Sequence, residues 1–556
     1  MKKIFSKTAL LLAAVALLSV SCNDEFFDKA PTSSVAEGNI FTTTENAMLA
    51  INGIHRLMHE GGSSGTTTSW NSQGGYTGWC MHLAVMSDDV IFTYASAMHQ
   101  NSAEWVRHHD LTQKYYDPNY YWKFFYRIIA NCNKIFEQID DLPGSDNYRY
   151  FVRGQAYAYR AFCHFQLVQG WAERYDWNKA GQNNQKGVVL RVDTFNENQP
   201  RESVEATYKL ILEDIDKAIA DLEKVPASFT KDYNKSHITV WTAKGIKARV
   251  LLTMGRWSEA AALAQDIIDN SGAKLQDNTY TITVHRMVDM TNTEWLWGEK
   301  GAGSYDQAQH DYTREFLQFF ANCGTSYARN TPKAINSLLW KSIPDTDVRK
   351  ACWVEDPYSV KSSLFLPSGA AAICPYMSQK WILENNSVLS AVEDFSYMRL
   401  PEIMMIAAEG YAKSNQPAKA QQLLYTLGHH RDAAYAMPTE TGDALCEKIM
   451  WQRRVELWGE ACIRWYDLKR LDLPRDCGPA PRAGYNQGGN AGGWGTNATK
   501  MPTNLDPLAS NFNMYGAALD ENSRVVAKPS ANPNMWNWLI PTQETTANPL
   551  CEQNDL

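Results

Sequence analysis

The chain has 556 residues, 44% of them apolar and 21% charged, a globular balance with room for one large domain or two to three ordinary ones. Lys and Arg number 53 against 61 Asp and Glu, a formal charge of −8. That argues against a nucleic-acid partner, which needs a clustered basic face. The unusual feature is aromatic: 19 Trp and 27 Tyr are present, and some fall in Gly- and Asn-rich loops where a core role is harder to argue.

At the N-terminus, Lys2, Lys3 and Lys7 precede an unbroken apolar run from Ala9 to Leu18. As a helix that run spans about 15 Å at 1.5 Å per residue, roughly half of a bilayer core. It reads as a secretory signal rather than a membrane span, and nothing after Leu18 is long and apolar enough to cross a bilayer. The run ends at Cys22, in "LLSVSCNDEFFD", and this resembles a bacterial lipoprotein signal in which the cysteine thiol is acylated. Residues 1–21 are then a lipoprotein signal peptide and 22–38 a polar, lipidated tether. Stable anchoring needs more than one acyl chain, and a multiply acylated Cys22 meets that need. The other ten cysteines form no CxxC pair, so they read mostly as buried free thiols such as Cys163.

From residue 39 the pattern is mostly helical. Thr44 is placed to cap a helix through about Met58. A loop, "HEGGSSGTTTSWNSQGGYTGWC", follows. Apolar residues at helical spacing mark Tyr120–Ile139 and Tyr148–Trp171, and Val204–Leu222 is a third amphipathic run. "YTITVH" (Tyr280–His285) is a possible strand. Pro and Gly concentrate between Pro474 and Gly516 in a long irregular stretch.

An internal repeat is visible. "ARVLLTMGRWSEA" from Ala248 and "AEGYAKSNQPAKA" from Ala408 share a small first residue, Gly255 or Asn415 at the eighth place and Ala260 or Ala420 at the thirteenth. Gly and Asn tolerate the left-handed conformation that ends a helix, and the alanines let a second helix pack closely. The spacing predicts helices near 240–254 and 257–269, and near 398–414 and 417–428. Such hairpins resemble tetratricopeptide units, which stack to bury their apolar faces.

Several blocks resemble the SusD/RagB family of outer-membrane nutrient-binding lipoproteins. They are Tyr120–Asp140, Arg153–Tyr175, Thr242–Ile268, Tyr397–Ser414, Ile449–Arg470 and Trp536–Asn554, in the family's order along the chain. The family's Arg-x-x-Glu-Leu-x-x-Glu-x-x-x-Arg-x-x-Asp-Leu pattern is met by Arg453 or Arg454, Glu456, Leu457, Glu460, Arg464, Asp467 and Leu468. These read as carboxylates and guanidiniums on a helix that tie elements together. The Gly-rich "GYNQGGNAGGWG" from Gly484 departs from the family pattern.

The resemblance implies a mostly α fold: a tetratricopeptide-like scaffold with long irregular loops and few short strands, residues 39–556 forming one domain. It also implies a surface-exposed, lipid-anchored protein of the outer membrane that captures a glycan and delivers it to a SusC-like TonB-dependent transporter. The acids after Cys22 resemble a surface-export signal. In the family the glycan platform is built by loops outside the scaffold. Carried over, these loops bring Tyr76 and Trp79 in "GYTGWC", Tyr94 in "SDDVIFTY", Tyr305 and Tyr312 in "GAGSYDQAQHDY", and Tyr327 in "NCGTSYARN". Trp70, Asn101 and Trp105 stand in a second rank. A sugar offers an apolar C–H face to such rings and hydroxyl edges to polar groups.

Catalytic motifs are missing: there is no GxSxG, HExxH or GxxxxGK[ST], and no cofactor or metal is assigned. "HRD" at His430–Asp432 lacks the companions of a kinase loop. His108-His109-Asp110 reads as a surface polar cluster. Carboxylate pairs such as Asp88-Asp89 and Asp140-Asp141 leave an all-α surface hydrolase open, as is a peptide-binding or scaffolding member of the same fold.

Overall fold

The computed structural model describes residues 40–59, 73–92, 105, 107–109, 117–195, 197–277, 287–301, 333–355, 376–381, 394–476 and 525–554. Cys22 and the tether, "YTITVH" and the Gly-rich stretch from Gly484 lie outside them. The first part of the chain forms α1 (Met48–His59), α2 (Gly75–Met86), β1 (Val90–Phe92), α3 (Asp117–Gln138), α4 (Asp146–Trp171), α5 (Val204–Leu222), α6 (Ala227–Thr230), α7 (Val240–Thr253) and α8 (Trp257–Asn270). The middle forms β2 (Trp295–Glu299), β3 (Lys333–Ile335), α9 (Ser337–Ser342), β4 (Trp353–Val354), β5 (Met377–Ser378) and β6 (Phe395–Arg399). Then come α10 (Leu400–Lys413), α11 (Pro417–Arg431), α12 (Gly442–Glu456), α13 (Ile463–Arg470), β7 (Arg475–Asp476), β8 (Val525–Val526), α14 (Pro533–Trp536) and α15 (Thr542–Ala547). The chain is therefore mostly α with a few short strands.

Local chemistry sets the helix ends. Ser145 caps α4 by accepting from Asn147 N at 3.2 Å, and Ser203 caps α5 by accepting from Ala206 N at 3.1 Å. The two repeat hairpins end their first helices alike. Gly255 (φ +70°) follows α7, and Arg256 N donates to Leu251 O at 2.9 Å. Asn415 (φ +59°) follows α10, and Gln416 N donates to Tyr411 O at 2.8 Å. Both are six-to-one closures of the kind a left-handed residue permits, and Pro417 then starts α11 where its missing N–H costs nothing. The expected hairpins fall within three residues of their bounds.

The helices pack largely in chain order, α3 on α4, α4 on α5, α5 on α7, α7 on α8, α8 on α10 and α10 on α11. Small residues allow the close approaches: a Cβ on Gly410 of α10 would stand 2.6 Å from Trp257 O of α8. Buried ion pairs lock neighbouring helices. Arg160 donates twice to Asp214 at 2.7 Å, joining α4 to α5. Arg249 reaches Glu402 at 2.6 Å, joining α7 to α10. Strands form a four-stranded sheet ordered β1-β3-β5-β4 and two antiparallel pairs, β2-β6 and β7-β8. The seven cysteines among the described residues are free thiols, six of them buried, Cys163 included.

Thr44 departs from its expected role. The first helix begins at Met48, and the Thr44 hydroxyl instead donates to Ser145 O at 3.1 Å, pinning the chain to the α3–α4 connection.

Gly255→Val is expected to destabilise the protein. A β-branched residue at φ +70° is strained by about 1–3 kcal/mol, and its Cβ would also meet Trp177 Cβ at 2.5 Å. Chemical denaturation reads the loss.

Candidate functional site

Of the six aromatic residues assigned to the platform, Tyr94, Tyr305, Tyr312 and Tyr327 lie outside the described residues, as do Trp70 and Asn101. The other two are corrected by the structure. Tyr76 and Trp79 are fully buried in α2, every residue of which is buried. Trp79 stacks on Trp171 with ring centroids 5.2 Å apart and planes 4° off parallel, and its Nε1 donates to Tyr466 Oη at 3.0 Å. Trp538, from the C-terminal tail, closes on the same ring at 4.7 Å. Trp105, of the second rank, is buried as well and donates to Met86 O at 2.9 Å. The Gly-rich flank of α2 reads as loop, but from Trp79 to Met86 every face is apolar enough for the interior, the mark of a helix enclosed on all sides.

His108 and His109 are also corrected, from a surface cluster to a clasp on the tail. His108 is buried; its Nε2 meets Met535 O at 2.7 Å, and Leu539 N donates to His108 O at 3.1 Å. His109 Nε2 meets Asn534 O at 3.0 Å. Burial holds the His108 ring well below its ordinary pKa, and His109 next to it adds to the effect.

The strand pairs gather the segments that carry the remaining rings. Phe92 at the end of β1 is the register partner of Lys333 at the start of β3. The segment bearing Tyr94 thus departs beside the point where the segment bearing Tyr327 returns. Glu299 at the end of β2 pairs with Phe395 at the start of β6. Beyond it, Asp394 accepts from Gly301 N at 2.8 Å and from Met290 N at 2.9 Å, and pairs with Lys300 at 3.1 Å. This fixes the departure of the segment with Tyr305 and Tyr312. Strands of these same two sheets bound every undescribed segment between residues 302 and 393.

Both sheets rest on one buried ionic cluster. Arg399, at the end of β6, is 1% exposed. It donates to Glu294 Oε2 at 2.5 Å, to Glu460 at 2.6 and 2.8 Å and to Glu456 Oε1 at 3.2 Å. Arg431 spans Glu294 at 2.6 Å and Glu456 at 3.0 Å. Arg349 joins Glu456 to Asp347, and Lys380, just after β5, donates to Glu460 at 2.5 Å. Four cations thus face four carboxylates, as buried charge requires. The arginine–glutamate pattern does tie elements together, but across α12, a turn and α13 rather than along one helix. In that turn Gly459, Ala461 and Cys462 all have positive φ, which turns Glu460 inward.

The same pattern holds the acidic pair. Arg464 grips Asp88 through two bonds of 2.6 and 2.7 Å, and Arg454 grips Asp89 at 2.5 and 3.0 Å. Burial works against the Asp88 carboxylate, but Arg464 and Arg454 outweigh it and hold its pKa below the ordinary value. Burial outweighs Arg454 at Asp89, whose pKa lies above it. These carboxylates anchor α2 and β1 to α12 and α13. Among the described residues no group of three or more His, Cys, Asp or Glu is arranged to hold a metal ion.

A family profile described as "Starch-binding associating with outer membrane" matches residues 81–252, and the profile of the "SusD family" matches residues 253–556, more than half of the chain. The chain belongs to the SusD family. It is 22% identical over 505 residues to a SusD-like protein of Bacteroides ovatus, covering 84% of this chain and 83% of that one. SusD-like protein P25 of Formosa agariphila is 23% identical over 403 residues, 64% of this chain and 71% of its own. Among solved structures, the fold is similar to a SusD-like carbohydrate binding protein from Bacteroides vulgatus, with TM-score 0.68 and 21% identity over 92% of this chain and 98% of that one. It is also similar to the surface glycan-binding protein A of Bacteroides thetaiotaomicron, solved with laminarihexaose, with TM-score 0.63 and 14% identity over 92% of this chain and all of that one.

Two outcomes follow for this SusD-family core. Trp79→Ala is expected to cost about 3–5 kcal/mol of stability, read by thermal and chemical denaturation. At Glu456, burial opposes ionisation, but Arg431, Arg399 and Arg349 hold the carboxylate well below its ordinary range. As pH falls, the unfolded chain therefore takes up this proton first, at about 4.3. The group's contribution is complete above that pH and drains away below it. Glu456→Gln is expected to cost about 3–5 kcal/mol at pH 7 and to flatten the acid limb of a stability–pH profile.

Proposed function

We propose that this protein is a lipid-anchored, surface-exposed glycan-binding member of the SusD family that hands its ligand to a SusC-like TonB-dependent transporter. Residues 39–556 act as one capture unit on an acylated Cys22. The observation that carries this is the pairing of β1 with β3, which sets the departure of the Tyr94 segment beside the return of the Tyr327 segment. Tyr94 follows β1 and Tyr327 precedes β3, while Tyr305 and Tyr312 follow β2, whose partner β6 ends at the ionic cluster. Tyrosine rings suit the C–H faces of a sugar. The laminarihexaose complex of the similar B. thetaiotaomicron protein supports a glycan as the ligand, and the outer-membrane description of the matching profile supports the location. Capture and transport couple if ligand, lid and barrel share binding energy, so that loading favours closure.

Binding is favoured over hydrolysis. Asp88 and Asp89, the adjacent carboxylates of "SDD", are each committed to an arginine. Release of reducing ends on incubation with polysaccharide would overturn this choice.

Tyr305→Ala and Tyr327→Ala are expected to weaken glycan binding about 5- to 150-fold while leaving the melting temperature nearly unchanged, on the scale of 1–3 kcal/mol for a ring stacked on a base. Calorimetry and thermal denaturation on the same variants read both quantities. Cys22→Ala is expected to abolish acyl labelling and release the protein from the membrane fraction; retained labelling contradicts the anchor.

A further inference from the structure

A recess of about 210 Å³ opens beside the β2–β6 pair, between α1, the turn at residues 234–237 and the end of β2. Its floor is buried yet polar. Tyr397 lines it and is 2% exposed, and its Oη has no hydrogen-bond partner among the described residues. His237 Nδ1 is likewise buried without one. Native interiors rarely leave such atoms unsatisfied, and both residues line this one recess. The space is ample for several ordered waters or for one six-membered ring with its hydroxyls.

The walls have the second property a sugar needs. His55 meets His237 edge-on at 4.5 Å, and Tyr159 leans on His55 at 5.8 Å. Ring surface thus lines the recess beside His237. Burial pushes the Glu299 carboxyl well above its ordinary value, with Cys80 and Asp394 adding to it, and burial lowers His237 to about 4. A protonated carboxyl both donates and accepts, as sugar hydroxyls do. The cations that line the recess, Arg56 and Lys300, are exposed to solvent, and Lys300 is already paired with Asp394 at 3.1 Å.

We infer that this recess binds a single neutral sugar ring, with Tyr397 Oη and His237 Nδ1 as its hydroxyl contacts, and so receives one unit of the captured glycan. This rests on the glycan-capture reading but uses none of the rings assigned to the platform.

The test is saturation-transfer NMR on the chain lacking residues 1–22, with methyl glycosides of glucose, galactose, mannose and xylose, and with glucuronic acid. At least one neutral glycoside is expected to bind. Tyr397→Phe, which removes the unsatisfied hydroxyl and keeps the ring, and Asn52→Trp, which fills the mouth from the exposed face of α1, are each expected to weaken it at least tenfold. Tyr397→Phe is expected to melt no lower than the parent, so its loss of binding is not unfolding. Binding of no neutral glycoside, unchanged binding in both variants, or tighter binding of glucuronic acid overturns the inference. A plate of immobilised polysaccharides is probed in parallel. Retained polysaccharide binding without glycoside binding discards the recess alone, whereas failure of both discards the capture reading with it.

Discussion

The contact on which the rest depends is Arg399 inside its cage of Glu294, Glu456 and Glu460. This guanidinium ends β6, starts α10, and stands opposite Trp295 in the β2–β6 register. Through Glu456 and Glu460 it reaches α12 and the left-handed turn that leads to α13, and through Arg431 it reaches α11. Taken pair by pair, such a cluster adds little net stability, because desolvation opposes the attraction. Its effect is on geometry. With four cations and four carboxylates buried together, displacing any one element strands a charge, so strands, turn and helices are held in a single arrangement.

That arrangement divides labour within the molecule. The hairpins α7–α8 and α10–α11 need only neighbours to bury their apolar faces, and they form a stack whose shape follows from local helix ends. The short strands could not stand alone: β4 and β5 are two residues each. They hold because Arg349, Lys380 and Arg399 bind their flanks to the helical side. Long segments can then vary in sequence on fixed strand ends, which is how a shared scaffold accommodates different ligands.

The sequence carries the hairpins openly, because their determinants are local. Gly255 and Asn415 end helices where they stand, and Ala260 and Gly410 declare close packing by their size. The ionic motif is legible as a set of charges but not as a cluster: Asp88, Glu294 and Arg431 are brought to it by the fold alone. Arg431 hides in an unremarkable "HRD". Trp79 misleads for a similar reason. Its neighbours Trp171 and Trp538 come from distant parts of the chain, and the glycines before it suggest a loop. His108 is buried by the tail that it clasps, a contact no local pattern announces.

Hydrogen–deuterium exchange of the chain lacking residues 1–22, with and without a saturating glycan chosen from an array, tests the division between scaffold and ligand face most directly. The account predicts added protection in peptides covering residues 93–104 and 302–332, with the hairpins at 240–270 and 400–431 unchanged. Protection confined to those hairpins, with none in the two segments, would contradict it.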